Sequence, residues 1–252
     1  MLAAEYIYTT NTIAAAAASI AVLKSPGDGR LNSAVAEPPF LHALKAALLQ
    51  REPAWTIEIQ PARSAYDIRI NTLKINLKIT STQSADNSVS KSAIYYSITG
   101  SDTYPYSSNW NEFWAHLQRA KANNAIKRVR AYATEYHFLV KDKTSGNALL
   151  KSIFDISKYI SNASNSLQIN WRHEFANIHY RVSDDEYLKK VCELLACVQT
   201  SVRDMIARTQ AFAWADIGSL VVPMPTCSGS CSGSGSGSAS CSQLQLQLQL
   251  QL

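Results

Sequence analysis

Between Trp55 and Thr80, apolar and polar residues alternate. Trp55, Ile57 and Ile59 are interleaved with Thr56, Glu58 and Gln60; Tyr66, Ile68 and Ile70 with Asp67 and Arg69; Leu73, Ile75, Leu77 and Ile79 with Lys74, Asn76, Lys78 and Thr80. Successive side chains of a strand point to opposite faces, so this period of two predicts three half-buried strands. The segment from Tyr136 to Lys141 predicts a buried strand, and Lys143-Thr-Ser-Gly146 a turn after it. Leu149 to Ile153 and Leu167 to Trp171 are weaker strand candidates.

Elsewhere the period lengthens. Leu188, Val191, Leu195, Val198, Val202 and Met205 recur at spacings of three and four, the stripe of an amphipathic helix over about residues 184–212. Its partner is the domain's own core by default, with a second subunit as the alternative. A helix is expected from Ala14 to Leu23, broken by Lys24-Ser-Pro-Gly-Asp-Gly-Arg30. A second is expected from Phe40 to Gln50, with Pro38 and Pro39 near its start, where a missing N–H costs little, and Pro53 as its stop. Another covers Asn109 to Lys121. Strands and helices in this order predict an α/β domain with a central mixed sheet flanked by helices.

Residues 1–225 read as one domain and 226–252 as a tail. From Cys227 to Ser242 only Cys, Ser, Gly and Ala occur, and the dipeptide Gln-Leu then repeats to Leu252. The first part buries too little apolar surface to offset its ordering entropy, so a flexible coil is expected there, while the Gln-Leu repeat alternates with period two and would suit an edge strand or self-association; no part in the chemistry is expected of either.

Composition narrows the class. With 46% hydrophobic and 17% charged residues in 252, wholesale disorder and a membrane bundle are excluded. The longest small-apolar run, Ile13 to Leu23, is about half the ~20 residues of a membrane span, and no basic segment precedes it. Cys192 and Cys197 fall in a helical pattern, and Cys227, Cys231 and Cys241 lie in the tail without nearby histidines. Neither a disulfide framework nor a zinc site is indicated, and a reducing cytoplasm is the expected setting. The 24 Lys and Arg against 19 Asp and Glu permit a polyanionic partner without demanding one.

The segment from Tyr66 to Lys78 carries the candidate chemistry. If Asn71 and Thr72 form a two-residue hairpin loop, Ile70 faces Leu73, Asp67 lies opposite Asn76, and Lys78 is diagonal to Asp67. Cross-strand neighbours then bring an anion, an amide and a cation within ~5–8 Å on one face. Mg²⁺ commonly takes one or two carboxylates together with water and substrate phosphate. Asp67 would be the charged ligand, the Asn76 amide oxygen and the Leu77 carbonyl neutral ones. The Lys78 ammonium would orient an attacking water or offset charge developing on the phosphate. The same residue types also make up the solvated face of many amphipathic hairpins, and spacing alone favours that plainer reading.

The segment resembles the active-site hairpin of type II restriction endonucleases of the PD-(D/E)xK nuclease superfamily, in which an Asp is followed on the next strand by an acidic residue, any residue and Lys. The corresponding pieces are Asp67 and Asn76-Leu77-Lys78. Asn76-Leu-Lys-Ile-Thr-Ser-Thr-Gln-Ser-Ala-Asp-Asn87 and Lys91-Ser-Ala-Ile-Tyr-Tyr-Ser-Ile-Thr-Gly100 look like the strand, loop and helix after the catalytic lysine in a group of such enzymes. Tyr136-His-Phe-Leu-Val140 and Leu167-Gln-Ile-Asn-Trp171 resemble later strands in the same order, and the likeness spans roughly Gly29 to Glu174. It implies a restriction-endonuclease-like core and Mg²⁺-dependent cleavage of double-stranded DNA at a short specific sequence. It further implies a homodimer, and a companion DNA methyltransferase that this chain does not encode.

The departure is Asn76, which replaces the second acid and should weaken metal binding unless another carboxylate enters. Glu37, where a helix-borne acid often completes the site in this superfamily, and Glu58, on the polar face of the preceding strand, are the candidates. An inactive DNA-binding descendant is the competing reading, and a structure-specific repair nuclease a third. Thr80, Ser81, Thr82, Gln83, Asn87 and Lys91 beside the site, and the basic Lys121, Lys127, Arg128 and Arg130, are candidate DNA contacts. For any one residue of the polar run a solvated loop that caps the next helix is the plainer reading, and for the basic cluster a charged surface loop explains the residues equally well. Asp86 is a further candidate acid, although helix caps favour Asp as well. The five histidines lack metal spacing, and no phosphate-binding glycine loop is present.

Overall fold

The computed structural model describes residues 1–22, 29–61, 64–80, 85–87, 89–104, 109–164 and 167–211; the side chains of 29–34, 85–87 and 209–211 are outside that description. The expected tail and the candidates Ser81, Thr82 and Gln83 therefore lie outside the described residues.

The chain is α/β. Strands β1 (Ile57–Ile59), β2 (Ile68–Ile70) and β3 (Leu73–Thr80) form an antiparallel meander. With β4 (Ala85–Asn87) set apart, β5 (Tyr136–Asp142) pairs parallel with β3, and β6 (Ala148–Ser152) closes the sheet antiparallel to β5. The order is β1-β2-β3-β5-β6, a mixed five-stranded sheet. A second, two-stranded ribbon pairs β4 with β7 (Gln168–Asn170).

Helices cover both faces. On one, Leu73, Ile75, Leu77 and Ile79 of β3 pack with α1 (Ala3–Ser19) and α2 (Gly29–Arg51) through Ile13, Ala17, Phe40, Leu44 and Leu48. On the other, Tyr136, Phe138 and Val140 of β5 meet α3 (Lys91–Thr99), α4 (Trp110–Ala122), α5 (Trp171–Ala176) and α6 (Tyr187–Ala211). Both faces of β5 are thus covered, so all of its residues are buried, His137, Lys141 and Asp142 included, where the burial of β3 alternates.

The two N-terminal helices differ from expectation. α1 runs from Ala3 to Ser19; its early start is hidden in the sequence because the buried stripe includes the polar Thr9 and Thr10, and the chain turns extended at Ile20. The Thr10 hydroxyl donates to the Tyr6 carbonyl at 2.9 Å, so it is buried without an open bond. α2 begins at Gly29 and runs through Pro38 and Pro39. Each proline forfeits one backbone bond, and the docking of Phe40, Leu41, Leu44 and Leu48 offsets that loss. α6 turns most of its stripe to the domain's own core, with Val191 and Val198 buried beside Leu194 and with Leu195, Val202 and Met205 partly buried, but Leu188 at its start is exposed. No described helix is long and apolar enough to cross a membrane.

Candidate active site

The hairpin forms around Asn71-Thr72 as the spacing predicts, with Ile70 opposite Leu73 and Arg69 opposite Lys74. Asn71 takes the left-handed conformation such a loop requires (φ 51°), which asparagine tolerates better than most residues. Its backbone N–H donates to the Thr56 carbonyl at 2.7 Å, and its side-chain oxygen accepts from the Thr56 N–H at 3.0 Å, tying the loop to the chain entering β1.

At Asp67 the simple count fails. Ile68 is opposite Ile75, yet the Asp67 N–H also donates to the Ile75 carbonyl, at 3.0 Å. Two successive residues of one strand thus face a single residue of the next, which is a β-bulge. Asp67 is shifted from the position directly across from Asn76, and its side chain is re-aimed. The carboxylate Oδ2 accepts the Leu77 N–H at 2.7 Å, standing where a strand carbonyl would otherwise continue the ladder. Burial pushes the Asp67 carboxyl above its ordinary value, and the Leu77 N–H and the Lys78 charge offset that only in part.

Beside this bond, β3 carries two further oxygens and a cation within two residues of one another. The N–H and C=O of a strand residue point the same way, so the Leu77 carbonyl is directed to the side on which its N–H meets Asp67. The Asn76 side-chain oxygen is buried with no hydrogen-bond partner. An acceptor left in that state costs about 1–3 kcal/mol, which a cation or a donor would relieve. Lys78 projects from the same face of β3 as Asn76, and its charge acts on Asp67. These groups fit a hard divalent cation in donor type, with a single carboxylate among them.

The two acids considered as substitutes for the missing carboxylate are placed differently. Glu58 lies across from Arg69 and is gripped by it through both oxygens, at 2.7 and 2.6 Å. Glu37 lies within α2, in the layer that packs on the opposite face of β3, and is partly buried there. Among the described residues, no group of three or more His, Cys, Asp or Glu gathers in a way that would hold a metal.

The basic cluster is corrected. Arg130 is not a surface cation: its side chain is fully buried, with Nε 2.9 Å from Glu135 and a terminal nitrogen 2.9 Å from Asp155. Lys127 is partly buried and donates to the Thr134 carbonyl and hydroxyl at 3.1 and 2.9 Å, and burial pulls its ammonium down to about 8. Neighbours in sequence do not reveal which carboxylates or carbonyls fold onto a cation. Lys121 and Arg128 are exposed. Lys91 opens α3, partly buried, with its ammonium 4.7 Å from the centre of the Trp110 ring. Thr80 ends β3, and its carbonyl accepts the Lys143 N–H at 3.0 Å. Asn87 and Asp86 belong to β4, opposite Gln168 and Ile169, with their side chains outside the described set.

Sequence reasoning passed over Lys74, whose ammonium sits 3.9 Å from the Tyr96 ring centre and pairs with Asp102. The density of tyrosines from Tyr95 to Tyr104 was the available signal. No protein-family model, curated protein or solved structure matches this chain.

Proposed function

We propose that the protein is a Mg²⁺-dependent endonuclease that hydrolyses phosphodiester bonds of double-stranded DNA at a short specific sequence, on the restriction-endonuclease-like core that the hairpin's resemblance implies. The observation that supports this most is the bulged Asp67 carboxylate fixed on the Leu77 N–H beside an Asn76 oxygen that is buried and unpartnered. Asp67, Asn76 and the Leu77 carbonyl would hold the ion; a further acid would be Glu58 on release from Arg69, since Glu37 lies in the layer on the opposite face of β3. Bound there, a Mg²⁺ ion supplies activation of water and polarisation of a phosphoryl oxygen.

The protein's own groups carry the remaining roles. The Leu77 N–H keeps the Asp67 carboxylate in one orientation, so little reorganisation accompanies substrate binding. The Lys78 ammonium orients the attacking water and offsets charge developing on the phosphate. Cutting both strands of a symmetric site calls for two copies related by a two-fold axis, hence a homodimer. The resemblance also implies a methyltransferase that protects the same sequence.

The single carboxylate favours a second reading, a DNA-binding protein of the same fold without catalysis. Incubating a mixed-sequence plasmid with Mg²⁺ and the parent, Asp67→Ala or Lys78→Ala protein separates the two. Discrete fragments from the parent alone are expected. Tight duplex binding with no fragments from any form would establish the second reading instead.

A further inference from the structure

The face of β3 that carries Asn76 and Lys78 also carries Lys74, and there the sheet borders a cavity of about 140 Å³. Tyr66, Tyr96, Tyr104 and Tyr136 line it, with Lys74 and Asp102 as its charged groups. The Lys74 ammonium lies 3.9 Å from the Tyr96 ring centre and 5.3 Å from that of Tyr66. The Tyr136 hydroxyl donates to the Ala65 carbonyl at 2.6 Å, which fixes the wall beside Tyr66. Burial pushes the Tyr96 and Tyr104 phenols up to about 12, so both rings stay neutral at physiological pH. The Asp102 side chain is 70% exposed and that of Lys74 only 14%, so the ion pair forms a wet lip over an aromatic interior.

This cavity adjoins the candidate active site. Tyr66 immediately precedes Asp67, and Lys74 stands two residues before Asn76 on the same face, ~7 Å along a strand that rises about 3.4 Å per residue.

We propose that the cavity receives one unstacked nucleobase of the nucleic acid whose backbone lies at Asp67 and Lys78; the inference deepens the nuclease reading and rests on it. A base is planar and apolar on its faces, which suits walls built from tyrosine rings. Its edge sets hydrogen-bond donors beside acceptors, and Lys74 and Asp102 present a donor beside an acceptor at the rim. Recognition of an extruded base combines these two elements, ring stacking and hydrogen bonds to its pairing edge. At roughly 10–15 Å³ per water centre, the cavity has room for several waters and hence for a heterocycle in their place.

The test uses the full chain in EDTA, titrated calorimetrically with each of the four deoxynucleoside 5′-monophosphates and with deoxyribose 5-phosphate. At least one nucleotide is expected to bind saturably while the sugar phosphate does not. Tyr66→Ala should weaken that binding on the order of tenfold, the scale of one lost base–aromatic stack. Asp102→Asn, a change on the exposed lip that leaves the melting curve in place, should weaken it as well. Binding of no nucleotide would overturn the inference, as would a sugar phosphate that binds equally well. Neither Mg²⁺ nor duplex takes part, so a failure here is separable from a failure of plasmid cleavage.

Discussion

Two clusters of charged groups in this protein are built on opposite terms. Around Arg130 every partner is supplied from within. Its guanidinium pairs with Glu135 and Asp155 and donates to the Val182 carbonyl at 2.5 Å. Asp155 also accepts from the Tyr6 hydroxyl at 3.1 Å and the Val182 N–H at 3.0 Å, and Ser152 donates to Glu135. The network joins α1, the loop before β5, the end of β6 and the approach to α6. Around Asp67, by contrast, a partly buried carboxylate accepts one backbone N–H, and the neighbouring Asn76 oxygen has no donor among the described residues. A saturated network can only hold the fold together. An unsaturated one keeps capacity for something that is not part of the chain.

The sharpest way to break this contrast is Arg130→Met. Removing the shared cation leaves Glu135 buried with no cation and Asp155 with only Arg181, at 3.7 Å, and the loss should be about 3–5 kcal/mol in urea unfolding. A change under about 1 kcal/mol would show that the interior network is wetter than its burial indicates.

Lys78→Ala should act on chemistry instead. Plasmid cleavage is expected to fall about 10²–10³-fold, the scale seen when one charge-stabilising group is removed, with an urea midpoint close to the parent's. Equal losses of stability and activity would move Lys78 into the structural class with Arg130.

Asp67→Asn sharpens the comparison through pH. Because burial raises the Asp67 carboxyl, the folded chain holds this proton to higher pH than the unfolded chain does. Stability then falls as pH rises from the unfolded value of 3.8 through the folded one, and the ionised carboxylate is a net cost at neutral pH. The asparagine keeps an acceptor for the Leu77 N–H and removes that cost. The variant should be more stable than the parent at pH 7, equal to it below pH 3.8, and inactive in cleavage. Lower stability at pH 7 would mean that the carboxylate is held by more than the one bond described.

The smallest effect is expected at Glu58→Gln. This acid and Arg69 are 45% and 42% exposed, and a pair so wet contributes no more than about 1 kcal/mol. Unchanged Mg²⁺ dependence of cleavage would keep Glu58 with Arg69, and a tenfold higher Mg²⁺ requirement would make it a ligand.

Alternation from Leu73 to Thr80 was enough to read β3, its faces and the turn at Asn71-Thr72, because a strand's period and a two-residue loop are local properties. The β4–β7 ribbon was not legible, since Ala85-Asp-Asn87 has no apolar alternation and pairs only because Gln168–Asn170 is brought beside it. The bulge at Asp67 was equally hidden. It turns on whether one N–H finds the Ile75 carbonyl or the next group along, and side-chain pattern carries no record of that choice. The surface reading of Arg130 failed for a related reason: Asp155 lies 25 residues away in sequence, and only folding brings it to 2.9 Å.

By itself the sequence determined which residues of the hairpin are polar, which strands are half-covered and which wholly covered, and that one acid, one amide and one lysine belong to the same short segment. Periodicity and turn chemistry act between near neighbours, so they are written in the order of residues. The tertiary structure alone decided which charges are consumed by partners and which are left with capacity. That division depends on groups distant in the chain arriving within hydrogen-bonding reach, and reach at about 3 Å is fixed by packing, not by order.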